Sequence, residues 1–158
     1  MWLKQFILWV SIIVLLFRHT DGTEDGQPIN ASTGKEGYGM TVKLEQEFTD
    51  DGKKVGIFRW GKAWNKSALY DDQVGVHFLL YDPPGPARLQ NDLIGTALNW
   101  ARPSAAGARD EANFEFFYRF PFFTGMDTTL SYQYVYHPAL TREFDHASVI
   151  SLRLRAVF

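Results

Sequence analysis

Seven polar side chains stand out in this sequence: Arg59, Asn99, Glu115, Arg119, Gln133, Arg153 and Arg155. Each falls at the polar position of a segment that alternates apolar and polar residues. A guanidinium presents several donors in a fixed fork, and an amide offers a donor and an acceptor together. Such a row suits hydrogen bonding to the hydroxyls of a polar solute along a wetted wall. The plainer chemistry of the same row is hydration and mutual pairing, for example Glu115 with an arginine on a neighbouring strand. Glu111 and Glu115 share one face two pleats apart, a spacing that invites comparison with the paired carboxylates of a glycosidase. No supporting motif accompanies them, so no catalytic residue is assigned and the chain reads as a non-enzyme. His19, His77, His137 and His146 show no metal-ligand spacing. There is no glycine-rich phosphate loop, nucleophile elbow or nucleic-acid motif. With no cysteine, disulfides and thiolate metal sites are excluded. No cofactor is expected.

The elements that must carry these residues are strands. Of 158 residues, 46% are apolar and 16% aromatic, with 13 Phe, 7 Tyr and 5 Trp. The mean hydropathy is nevertheless −0.21 and the net charge −2, which argues against a nucleic-acid binder. From Tyr38 onward the dominant period is two. Tyr38, Met40, Val42 and Leu44 alternate with Lys43, Glu45 and Glu47. Phe58 and Trp60 flank Arg59. Val74, Val76, Phe78 and Leu80 form the next apolar set, then Ile94, Leu98 and Trp100. Phe114, Phe116, Tyr118 and Phe120 oppose Glu115 and Arg119. Leu130, Tyr132, Tyr134 and Tyr136 follow, and Ile150, Leu152, Leu154 and Phe158 close the chain. Turn chemistry separates them at Thr49–Gly52, Asp82–Pro86, Arg102–Gly107 and Thr124-Gly125. The expectation is an all-β antiparallel meander of about seven strands, each about 9–12 residues long, the length of a tilted membrane-spanning strand.

An alternating strand has two readings. In a soluble sandwich or small closed barrel the apolar face points inward and a small ligand could bind there. In a transmembrane outer-membrane β-barrel the apolar face meets lipid and the polar face lines the lumen. Long charged groups in mid-strand, such as Lys43, Arg59, Glu115 and Arg153, favour the second. So do aromatics near strand ends, at Tyr38, Trp60, Trp100, Phe120 and Tyr136, where interfacial girdles sit. The terminal Phe158, with Leu154, Leu152 and Ile150 on its face, looks like the signal read by the barrel-assembly machinery.

The N-terminus differs. A lysine at position 4 precedes an apolar run through Phe17, followed by Arg18-His19-Thr20-Asp21. That layout predicts a signal-like apolar helix over residues 1–20, either cleaved or kept as an anchor. Residues 21–37 read as a polar linker, and 38–158 as the β-barrel segment.

Specific stretches carry a family resemblance. Val55-Gly56-Ile57-Phe58-Arg59-Trp60-Gly61, Asp71-Asp72-Gln73-Val74-Gly75-Val76, and Asp92-Leu93-Ile94-Gly95 with Asn99-Trp100-Ala101-Arg102-Pro103 occur in order. Glu115-Phe116-Phe117-Tyr118-Arg119-Phe120, Tyr132-Gln133-Tyr134 with His137-Pro138, and Ser151 through Phe158 continue the series. Together they resemble the C-terminal portion of the bacterial carbohydrate-selective porins (OprB type), over about residues 38–158. The resemblance implies an outer-membrane barrel of about sixteen strands through which small sugars diffuse passively. It also implies outer-membrane lipid and the assembly machinery as partners, and association into homotrimers. Since this chain supplies about seven strands, it reads as part of a porin joined to a leader outside the family. A truncated product without independent function is the other reading of that length.

Overall fold

The computed structural model describes residues 10–19, 23–24, 27–28, 37–64, 68–84, 91–139, 141 and 143–156. Eight strands form one sheet: β1 (Val10–His19), β4 (Gly37–Glu47), β5 (Lys54–Trp64), β6 (Tyr70–Tyr81), β7 (Leu93–Pro103), β8 (Glu111–Phe123), β9 (Met126–Tyr136) and β10 (His146–Ala156). Their spatial order is their chain order, and every neighbouring pair is antiparallel. Two short strands, β2 (Thr23–Glu24) and β3 (Gln27–Pro28), pair with each other inside the stretch expected to be linker. The sheet is open. Among the described residues β1 and β10 each have one neighbour and are not paired together.

The seven strands expected from the alternation correspond to β4 through β10. The expected N-terminal helix is corrected: Val10–His19 is a strand paired with β4, Val14 opposite Val42 and Leu16 opposite Met40. The physical reason lies in composition. Val10, Ile12, Ile13 and Val14 are β-branched and lose χ1 freedom in a helix, while the open edge of β4 offers them a full ladder. Residues 1–9 of the signal-like segment lie outside the described residues. No helix among the described residues is long and apolar enough to cross a membrane.

The connections alternate between two ends of the sheet. Thr49–Gly52 and Thr124-Gly125 make tight turns at one end. Gly52 (φ 67°) and Gly125 (φ 79°) supply the left-handed backbone those turns require. In the first, the Gly52 amide donates to the Thr49 carbonyl at 2.9 Å, and the Lys53 amide to Asp51 Oδ1 at 3.1 Å. Hydrogen bonding from Thr49 and the Lys53 amide holds the exposed Asp51 carboxyl below the usual range. The segment between β6 and β7 is longer yet sits at this same end, as expected for Tyr81–Asn91.

A single sheet has no second layer to bury its apolar face. Among the described residues the buried apolar side chains are few, Ala63, Ala97, Val55 and Leu93, whereas Leu98 is 62% exposed and Ile150 83%. No large side chain among the described residues is fully buried. In water such a face requires a covering layer. In lipid it does not.

Candidate pore-lining face

The register sorts side chains by parity: odd-numbered residues occupy one face from β4 to β10, even-numbered ones the other. Across the odd face, one row runs Lys43, Arg59, Gly75, Asn99, Asn113 and Val135. The next runs Glu45, Ile57, His77, Ala97, Glu115 and Gln133. Farther toward the tight turns, Phe117 opposes Ser131, Ser131 opposes Ser151, Thr129 opposes Arg153, and Asp127 opposes Arg155. All seven expected residues therefore share this face.

They fall into two grooves and one isolated pair. Arg59 and Asn99 line a groove of about 380 Å³ with Gln73, His77, Glu111 and Asn113. Glu115, Arg119, Gln133 and Arg153 line another of about 420 Å³ with Phe117 and Ser131. Arg155 belongs to neither and pairs with Asp127. Glu115 faces Ala97 and Gln133 across the ladder rather than an arginine. The carboxylate pair is also corrected: Glu111 and Glu115 are four residues apart on one extended strand, roughly 13 Å along it, beyond the separation a glycosidase pair needs. Glu111 instead accepts a hydrogen bond from the Ala139 amide at 2.9 Å.

Two close approaches shape the grooves. The Asn99 side chain lies over Gly75, occupying the space a Cβ would need, and its Nδ2 donates to Asn113 Oδ1 at 2.9 Å. The Phe117 ring lies over Gly95 in the same way. His77 Nε2 is buried and has no hydrogen-bond partner. Gln73, His77, Asn113 and Ser131 were not singled out from sequence. Their odd positions within the alternating runs were the signal that would have found them.

The even face has a different make-up. Phe78, Leu98, Phe114, Phe116, Leu130, Ile150, Leu152 and Leu154 are exposed on it. From Ala112 to Phe120 the apolar positions of β8 span about 27 Å of strand, which suits an apolar band about 25 Å tall once tilted. At the end opposite the tight turns the band stops at a charged row. There Lys62 pairs with Asp72 at 2.7 Å, and Arg102 bridges Asp72 and Asp110 at 3.6 Å each. Tryptophans border it, Lys62 lying 5.9 Å from the Trp64 ring and Arg102 5.3 Å from that of Trp100. Amphipathic rings beside charges are the composition that the edge of a lipid-facing band would present.

A model of the carbohydrate-selective porin family, OprB, matches residues 15–158. The chain belongs to that family. It is a family of channels, not of enzymes. The match begins within β1, so it takes in Leu15 to Gly37, which the resemblance read from sequence had left outside as leader and linker. No curated protein and no solved structure matches the chain.

Above the charged row, family membership gives the connections a place beyond the band. Ser104, only 3% exposed, donates to the Ala68 carbonyl at 2.6 Å, tying the β7–β8 connection to the β5–β6 connection. Arg109 donates to Asp145 Oδ1 at 2.5 Å and to the Phe144 carbonyl at 2.8 Å, tying it to the β9–β10 connection. The hydrogen bond and charge of Arg109 hold the Asp145 carboxyl below its usual range. Three connections are thereby linked at one rim. Phe158 of the expected assembly signal lies outside the described residues, while Ile150, Leu152 and Leu154 are exposed on β10.

Proposed function

We propose that this chain forms wall of an outer-membrane channel through which carbohydrates diffuse passively, as the C-terminal portion of a porin. The observation that carries the reading is the two-faced single sheet: a continuous apolar face with nothing over it among the described residues, backed by a face of arginine, amide and hydroxyl groups. Arg59, Asn99, Glu115, Arg119, Gln133, Arg153 and Arg155 line the solute path. Their donors and acceptors replace part of a sugar's hydration as it passes. Ile150, Leu152, Leu154 and Phe158 serve as the strand recognised by the assembly machinery. Chemistry is not part of the function, because passive diffusion needs only a lined and hydrated path.

The test is sugar flux. Purified protein, refolded into liposomes, is expected to admit small sugars in a swelling assay and to conduct in planar bilayers. Absence of both sinks the reading. Single Arg59→Ala and Arg119→Ala variants are expected to shift the reversal potential toward cations, since each removes one positive charge from the path. Leu98→Ala on the opposite face should leave it unchanged.

A further inference from the structure

We propose that the groove over Gly61 and Gly75 on the odd face binds an acidic monosaccharide, its carboxylate held by Arg59 and its hydroxyls by the side-chain amides beside it. The inference deepens the channel reading and rests on it, because that reading makes the odd face the wetted one. The groove, of about 380 Å³, falls in the range of small-molecule sites, about 300–1,000 Å³. Its polar side chains Arg59, Gln73, His77, Asn99, Glu111 and Asn113 stand on β5 to β8, strands that are each ladder-bonded on both sides.

Two glycines make the floor. The Gln73 side chain fills the space a Cβ would take at Gly61. Asn99 Oδ1 does the same at Gly75, with His77 Nε2 against the same space. Three polar side chains are thus laid along the sheet instead of projecting from it, and the groove lies above them. Asn99 Nδ2 donates to Asn113 Oδ1 at 2.9 Å, so Asn113 keeps its amide hydrogens, and Asn99 its carbonyl oxygen, for another partner. His77 Nε2 is buried with no hydrogen-bond partner, a state that costs free energy until one arrives.

The charges select an anion at one end. Arg59 stands directly opposite Lys43 on β4, and like charges facing each other across a ladder repel. Glu45 neutralises Lys43 at 2.5 Å. Arg59 is exposed and has no ion pair among the described residues. One uncompensated guanidinium matches one carboxylate, which it holds through two parallel hydrogen bonds. A phosphate dianion would leave a charge over. Glu111 lies at the far side on β8, three strand spacings or about 14 Å from β5, and accepts from the Ala139 amide at 2.9 Å. The groove is therefore cationic at one end and hydroxyl-accepting at the other. A sugar acid carries the matching two ends, whereas a neutral sugar leaves Arg59 without its counter-charge.

Galacturonate, galactose and acetate test the site. Calorimetric titration of the full chain, folded in detergent micelles, is expected to show saturable galacturonate binding about tenfold tighter than that of galactose or acetate, the scale of one charge-assisted hydrogen bond. Galactose bound as tightly overturns the acidic-sugar assignment. Acetate bound as tightly reduces the groove to a positive patch, and no binding at all removes the site. Arg59→Gln should abolish the preference while the denaturation midpoint holds or rises, because repulsion from Lys43 is relieved. A fall in that midpoint would make Arg59 a structural residue and overturn its role. Gly75→Ala, which displaces Asn99 and His77, should weaken galacturonate with Arg59 still in place, and unchanged affinity would overturn the floor. Liposome swelling keeps the two readings apart. Passage of galactose without galacturonate binding defeats the site alone, whereas galacturonate binding without flux of any sugar defeats the channel and leaves the site.

Discussion

Strands β1 and β8 belong to one sheet, yet they are written differently. In β8, Phe114, Phe116, Tyr118 and Phe120 alternate with Asn113, Glu115, Phe117 and Arg119, so the strand has one apolar and one mostly polar face. In β1, Ile13, Val14, Leu15 and Leu16 are apolar in succession and all exposed. Among the described residues β8 is ladder-bonded on both sides, to β7 and β9, and β1 on one side only. The difference teaches what alternation encodes. It records two unlike media on the two faces of a sheet, and β8 meets both. A strand apolar on both faces, as β1 is over Ile13, Val14, Leu15 and Leu16, records no such difference.

The largest effect expected from this contrast comes from a charge placed in the band. Phe116→Arg on β8 should destabilise the folded protein in detergent or vesicles by about 2–4 kcal/mol. Ile13→Arg on β1, opposite Lys43 on the odd face, should cost less than about 1 kcal/mol, the scale of one cross-strand pair. Denaturant titrations of the two variants compare them directly, and equal losses would erase the distinction between the strands.

A smaller effect is expected inside the odd face. Gly95→Ala places a methyl where the Phe117 ring lies, and the ring must move. A loss of about 1–3 kcal/mol is expected from such overpacking, read by the same titration. The double variant Gly95→Ala with Phe117→Ala should recover part of it. β1 itself contains no glycine.

The smallest effect concerns the rim and is local. Asp145 titrates below its ordinary value in the folded chain because Arg109 binds its ionised form. A depressed carboxyl contributes its stabilisation above the unfolded carboxylate pKa and loses it as pH falls through the lower folded value. The β9–β10 connection should therefore be protected from acid-active protease near pH 5 and cleaved several-fold faster well below pH 4. Arg109→Ala should show the faster cleavage already near pH 5, with the strands intact. Unchanged cleavage would mean the latch does not order the rim.

Much of the fold was legible residue by residue. The period of two in β4 through β10 is a local property of the backbone, since successive side chains must point to opposite faces. That is why Arg59, Asn99, Glu115, Arg119, Gln133, Arg153 and Arg155 could be placed on one face before any strand was paired. The Val10–Phe17 run was not legible in the same way. A short run apolar on both faces satisfies helix and strand equally, and only a neighbour decides between them.

By itself, then, the sequence determined the secondary structure of the body, the parity of its two faces and its kinship with carbohydrate-selective porins. The first two follow from composition and spacing along the chain, and the third from the resemblance of particular stretches between Val55 and Phe158. Only the tertiary structure decided that Asn99 lies over Gly75, that Glu115 meets Gln133 rather than an arginine, and that Arg109 reaches Asp145. It also decided that β1 is a strand on the edge of β4. Those facts depend on cross-strand register, and a shift of two residues preserves every face while changing every neighbour.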